Sequence, residues 1–158
     1  MSLKVDLTVA AIAEDDGRFL MVQERAARRV VLNQPAGHVE PGESLLDAVV
    51  REAREETGRE FRPASVTGLY LWQGPAGRTV LRVALAGSVG EPAAGVKLDR
   101  AIVRTLWLDR RELAARAREH RSPLVMASID DYLRGSRHPL ELLRQLPLGG
   151  VEIRKAVG

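Results

Sequence analysis

The chain has 158 residues, 45% of them hydrophobic, with a formal net charge of +3 and a sequence pI of about 9.8. That length and apolar content suit one soluble globular domain over 1–158, with an ordered core at 4–145 and a tail at 146–158. No apolar run is long enough for a bilayer, and Met1-Ser2-Leu3 has neither the charged start nor the apolar stretch of a signal peptide, so a cytoplasmic protein without a membrane partner is expected. Having no cysteine, the chain cannot form disulfides, thiolate metal sites or a Cys nucleophile.

In chain order, Lys4–Ala13 begins as an alternating pattern and turns apolar throughout, which predicts a strand covered on both faces. Asp16-Gly17 then signals a tight hairpin returning as a strand over Arg18–Glu24. Arg25–Arg29 reads as a basic, solvated loop. A short strand from Val30 leads to Asn33-Gln34-Pro35-Ala36-Gly37-His38, where Pro35 and Gly37 punctuate the backbone before a helix. Arg62–Gln73 and Thr79–Ala86 read as strands joined through Gly74-Pro75-Ala76-Gly77, with Leu69 and Leu71 alternating on the first and Val80, Arg82 and Ala84 on the second. After a loop at Ser88–Gly95, Ala101–Leu108 is a last strand. Asp109 caps a short helix at Arg110–Arg118, and Ser122-Pro123 opens a final one closed by Gly135. Strands on either side of one central helix, followed by two helices, predict a mixed α/β domain with helices on both sheet faces.

The central helix carries the chemistry. Ser44 with Asp47 three residues on is an N-cap pattern, and Gly58 stands where a left-handed C-cap belongs. At about 100° per residue, Glu56 falls about 40° from Glu52 and Glu55 about 60° to the other side, so the three carboxylates share a stripe. Leu46, Val49, Val50, Ala53 and Thr57 form the apolar face beside it. A Glu/Arg-rich surface helix is one reading. The other is metal binding: Glu52, Glu56 and Glu60 are like charges at successive i,i+4 steps, and hard carboxylate oxygens suit Mg²⁺ or Mn²⁺.

Gly37, Glu43, Arg51-Glu52, Glu55-Glu56 and Gly58, at these spacings, resemble the signature box of the Nudix hydrolases. Two positions depart from it: Arg59 occupies the closing aliphatic position, and the small Ala53 fills the aliphatic slot after Arg51-Glu52. The resemblance extends through Asn33–His38, Arg121–Val125, Ser128-Ile129, Tyr132, Gly135 and Pro139-Leu140-Glu141 to the NudJ branch of that family. It implies an α/β/α sandwich and a phosphatase acting on a small-molecule pyrophosphate: nucleoside di- or triphosphates, or the pyrophosphate of the thiamin pyrimidine precursor. It further implies that the Ala36 carbonyl, which precedes the first box glycine, is a metal ligand.

On this reading Glu52 and Glu56 bind metal with the Ala36 carbonyl, and Glu55 binds metal or orients water. Arg51 holds the carboxylates in place by pairing with Glu55 or Glu43, or touches phosphate. Asp99 is the candidate carboxylate from outside the box, with turn chemistry as its alternative. Substrate contacts are assigned to Gln34 for a base edge, His38 for phosphate or leaving group with a satisfied loop histidine as its alternative, Trp72 for stacking on a flat ring with the core as its alternative, and Arg82, an inward cation that needs substrate phosphate or a buried carboxylate as partner. Trp107 is assigned to the core. His120 and His138 read as surface or capping residues.

The Arg residues are interleaved with acids, and the aromatics number only two Trp, two Tyr and two Phe, so a nucleic-acid polymer is not an expected partner. Either a monomer or a homodimer fits. The rival readings are hydrolysis of ADP-ribose, hinted at by Pro75, and a Nudix-fold sensor that binds a nucleotide without cutting it.

Overall fold

The computed structural model describes residues 2–146, so the expected tail falls, from residue 147 on, outside the described residues. Seven strands and three helices follow one another as β1 (Val5–Asp15), β2 (Arg18–Ala26), β3 (Arg29–Asn33), β4 (Ala36–His38), α1 (Leu45–Thr57), β5 (Phe61–Gln73), β6 (Thr79–Val89), β7 (Ile102–Asp109), α2 (Arg110–Ala115) and α3 (Leu124–Leu133).

β1 organises the sheet. One edge runs parallel to β6, from Val5 opposite Thr79 to Ala13 opposite Gly87, and β5 lies antiparallel on the far side of β6. The other edge is shared: Thr8–Ala10 pair with β4, and Glu14 and Asp15 pair with β2, which carries β3 and β7 on its own edges. Asp16 and Gly17 take φ of 47° and 76°, the positive pair a two-residue primed hairpin turn requires.

The continuous apolar run of β1 is explained by cover on both faces. Val9, Ala11 and Ala13 pack with Ala48, Val49 and Ala53 of α1, whereas Ile12 packs with Leu113 of α2 and Val125 and Ile129 of α3. The mixed sheet with helices on both faces matches the sequence expectation. Among the described residues no helix is long and apolar enough to cross a membrane.

Several local expectations change. The basic stretch Arg25–Arg29 is no open loop: β2 continues to Ala26 and β3 begins at Arg29, with Ala27 at φ 53° in the turn, because Val30 and Val31 pair back onto Arg25 and Glu24. Leu69 and Leu71 do alternate, but they are exposed, at 53% and 65%, on an edge strand. α2 ends at Ala115, and a 3-10 turn at Ala117–Glu119 replaces its last part. Among the described residues the hydroxyl of Ser122 caps nothing; α3 starts at Leu124, and the Ser122 carbonyl accepts from Val125 N–H at 3.3 Å.

Candidate active site

α1 presents its acids as the wheel predicts, with one shift. Ala48 is fully buried as well, so the row Ala48, Glu52, Glu56 faces inward against β4, and the buried face reaches into the carboxylate stripe. Both caps are as read: Ser44 Oγ accepts from Asp47 N–H at 3.0 Å, and Gly58 sits at φ 69° with its N–H on the Arg54 carbonyl. The three glutamates are consequently graded in depth. Glu56 is 7% exposed; the Glu52 carboxylate lies against Gly37; Glu55 is half exposed.

Glu56 Oε2 accepts the N–H of Ala36 at 3.0 Å and, among the described residues, has no cationic partner. Burial pushes its carboxyl up to about 9, against the lowering effect of that N–H; Glu24, Glu52 and Asp99 add to the rise. Burial also raises Glu52, although Arg51 opposes it. Gly37 makes this arrangement possible, since a Cβ there would collide with the Glu52 carboxylate.

Arg51 is the clamp. Its guanidinium reaches Glu43 Oε1 at 2.6 Å and Oε2 at 3.0 Å, Glu52 Oε1 at 2.9 Å, Glu55 Oε2 at 3.2 Å and the His38 carbonyl at 3.0 Å. These contacts push Arg51 far above its ordinary range and hold Glu43 below the usual carboxylate value. Glu43 also accepts from Glu40 N–H at 3.0 Å, so it fastens the loop onto the helix.

A cavity of about 590 Å³ opens beside these groups. Its lining includes Ala36, Gly37, His38, Glu52, Glu56, Trp72, Arg82 and Asp99, so six of the nine residues assigned to the site border one space: Ala36, His38, Glu52, Glu56, Trp72 and Arg82. Arg51 stands behind the carboxylates, as a positioning group. Asp99 Oδ1 accepts from Ala101 N–H at 2.7 Å, which is turn chemistry, yet the residue also borders the cavity. His38 is exposed at the rim, its Nε2 3.1 Å from Arg78 Nη2, and Arg78 pairs with Asp6. Half-buried Trp72 lies over Gly74, where a Cβ would come within 2.7 Å of the ring.

One assignment does not hold as made, and a second lies at the border of the site. Gln34 is wholly buried and outside the cavity lining; its Nε2 donates to the Val125 carbonyl at 2.8 Å and to Ser128 Oγ at 3.0 Å, so it reads α3 instead of a substrate. Glu55 is turned toward Arg51 and solvent, and among the described residues no three acidic or histidine side chains converge as a ready-made metal cluster.

The donor chemistry still fits a hard divalent cation. Glu52 and Glu56 present oxygens to the cavity beside Ala36, and a buried carboxylate without a cation is the arrangement such an ion relieves.

Sequence reasoning missed Glu24, Arg121 and Ser122. All three border the cavity. Glu24 was detectable as a charge in phase with the buried Leu20 and Val22 of β2. Arg121 and Ser122 entered the sequence reading only through a helix-cap pattern and the family resemblance, neither of which placed them at the site.

The NUDIX domain family model matches residues 4–127. Phosphatase NudJ of Escherichia coli K12 is 35% identical over 140 residues, covering 89% of this chain and 91% of that protein, and Phosphatase NudJ of Shigella sonnei matches to the same extent. The solved NUDIX hydrolase from Nitrosomonas europaea superposes with a TM-score of 0.88 at 44% identity, covering 90% of this chain and 98% of that one. With a family match across most of its length, a relative above a third identical and a glutamate helix set against a cavity, the chain belongs to the Nudix family of hydrolases, which act on phosphorus-containing anhydrides.

Proposed function

We propose that the protein is a Mg²⁺-dependent pyrophosphohydrolase that releases phosphate from diphosphate or triphosphate compounds, with nucleoside di- and triphosphates and the thiamin pyrimidine pyrophosphate as the substrate class. The observation that carries this reading is the buried Glu56 beside Glu52 on a cavity that also holds Arg82, a buried arginine to which no carboxylate is bonded among the described residues. Likeness to Phosphatase NudJ supports the choice of phosphate as product.

Glu52, Glu56 and the Ala36 carbonyl would hold the ion, with Mn²⁺ as an alternative to Mg²⁺. When bound, such an ion neutralises phosphate oxygens and lowers the pKa of a bound water. Arg51 keeps Glu52 from swinging away and holds Glu55 at the helix border, from which it would orient the attacking water. Arg82 meets the phosphate, since no carboxylate among the described residues pairs with it. Trp72 offers its face to a flat base or pyrimidine, and His38 stands at the rim near the leaving group.

Pro75 supports the ADP-ribose alternative only in that it borders the cavity beside Trp72. Product analysis separates the two readings. A panel of pyrophosphate compounds assayed with Mg²⁺ is expected to yield orthophosphate, whereas AMP with ribose phosphate as the principal product overturns the assignment. Unchanged turnover after chelation overturns the metal.

A further inference from the structure

The sheet face that carries α1 is only partly covered. On β1, Leu7 stands opposite Leu81 of β6 and Val9 opposite Val83; Leu81 and Val83 in turn stand opposite Leu71 and Leu69 of β5, so all six side chains share one face. Val9 and Val83 are buried in the cluster that α1 closes. One row further the cover stops. Val5, Leu7, Leu69 and Leu71 are exposed and Leu81 is half-buried, which leaves an apolar shelf across three strands. A contiguous apolar surface of this kind marks a place where something docks.

The last described residues lead the chain to it. After α3, His138 exchanges both backbone hydrogen bonds with Val66 of β5, at 2.8 and 2.9 Å, and so takes the chain round the edge of the sheet. A 3-10 turn at Leu140–Leu142 follows, and Leu140 and Leu143 pack against the α1 cluster. Residues 142–145 form one wall of a groove of about 470 Å³, whose other walls are Leu7, Val39 and residues 43–46. Leu7 belongs to groove and shelf alike.

The sequence that comes next suits such a surface. Residues 147–158 read PLGGVEIRKAVG, in which Val151 and Ile153 alternate with the charged Glu152 and Arg154, and Val157 keeps the same phase. A dozen extended residues reach about 40 Å, whereas crossing three strands takes about 10 Å.

We propose that residues 147–158 dock on this surface of their own chain as an extended segment, with Val151 and Ile153 against the shelf formed by Leu7, Leu69, Leu71 and Leu81. Attachment at Leu146 gives the segment an effective concentration that a separate partner lacks. Its apolar side chains leave water while Glu152 and Arg154, out of phase with them, stay solvated. Glu43 and Ser44, which hold Arg51 and cap α1, line the groove beside the shelf, so the docked segment lies against the base of the glutamate helix. Trp72 and Arg82 alternate to the other side of the sheet, so the surface is separate from the candidate active site and the inference does not depend on the hydrolase reading.

The test is limited trypsin digestion of the full chain, followed by mass spectrometry of the fragment 155–158 that cleavage after Arg154 releases, beside sedimentation velocity at several protein concentrations. Each rate is compared with that of a free peptide carrying the same 147–158 sequence. The wild type is expected to protect the Arg154 bond at least about tenfold. Val151→Ser on the segment and Leu71→Ser on the shelf are each expected to cut that protection at least about fivefold, and the double variant to lose no more than the weaker of the two. Cleavage of the wild type as fast as the peptide, or protection untouched by Leu71→Ser, overturns the proposal. So does protection that rises with protein concentration together with a dimer in sedimentation, which places a second copy on the shelf. Leu71 is exposed, so its replacement is expected to leave the fold intact; if that variant does not fold, Leu69→Ser takes its place.

Discussion

Glu56 joins two roles that pull in opposite directions. Its burial supplies an unscreened carboxylate to the cavity, and the same burial makes its charge unfavourable in the metal-free protein. The folded-state pKa of about 9 lies above the ordinary 4.5, so the folded protein holds this proton more tightly than the unfolded chain. The associated stability is therefore present in full below about pH 4.5 and is lost as pH rises toward 9. In EDTA, Glu56→Gln, which keeps an acceptor for the Ala36 N–H, is expected to melt higher than wild type by a margin that widens by roughly 5 °C or more between pH 5 and 8. Saturating Mg²⁺ should shrink that margin. The same variant is expected to lose about a hundredfold or more in kcat, because even residues that only orient metal ligands commonly cost ten- to a hundredfold. Melting curves with and without chelator, beside steady-state rates, check both statements; a margin independent of pH contradicts the first and near-normal kcat the second. Gly37→Ala makes a complementary prediction. The added methyl displaces the Glu52 carboxylate, so activity should fall by at least about tenfold while circular dichroism stays native.

At the scale of elements, α1 holds its carboxylates in depth order because both ends are fixed and Arg51 ties one flank to the preceding loop. Replacing Gly58, at φ 69°, by Ala forces a side chain into the left-handed region and should cost about 1 kcal/mol, a fall of roughly 2–4 °C in Tm. Ser44→Ala should cost a similar amount through the lost N-cap. Both ends were legible from the sequence because a cap depends on residues three or four apart. The length of β2 was not. Its continuation through Ala26 depends on the partner strand that returns after a turn in which Ala27 adopts φ 53°, and no Gly or Asn marks that turn. Nor was the fate of Leu69 and Leu71 legible: alternation locates a strand, but only the sheet order places that strand at an edge where its apolar residues stay exposed.

At the scale of the whole molecule the cavity draws on elements from both sides of the sheet: α1 supplies Glu52 and Glu56 and β2 supplies Glu24, while β6 supplies Arg82 and the loop before α3 supplies Arg121. Gln34 is the tie between them, as its amide spans from the β3–β4 link to Val125 and Ser128. Gln34→Leu leaves the Ser128 hydroxyl and the Val125 carbonyl short of a donor, and is expected to destabilise by about 1–3 kcal/mol, several degrees of Tm, with Mg²⁺ affinity nearly unchanged. Thermal unfolding and metal titration of that variant separate a tie from a ligand; a large loss of metal affinity at unchanged Tm contradicts the assignment.

Sequence by itself determined the glutamate helix, its caps, the Asp16-Gly17 hairpin, the continuous apolar run that marks a covered strand and the resemblance to the Nudix box, because each is written in spacings of a few residues. Tertiary structure alone decided that Gln34 serves α3, that Glu55 turns outward to Arg51, and that Glu24, Arg82, Arg121 and Ser122 meet at one cavity. Those contacts join residues as far as 97 positions apart, such as Arg121 and Glu24, and depend on which face of which strand a side chain occupies, a property set by sheet order and burial instead of by neighbours along the chain.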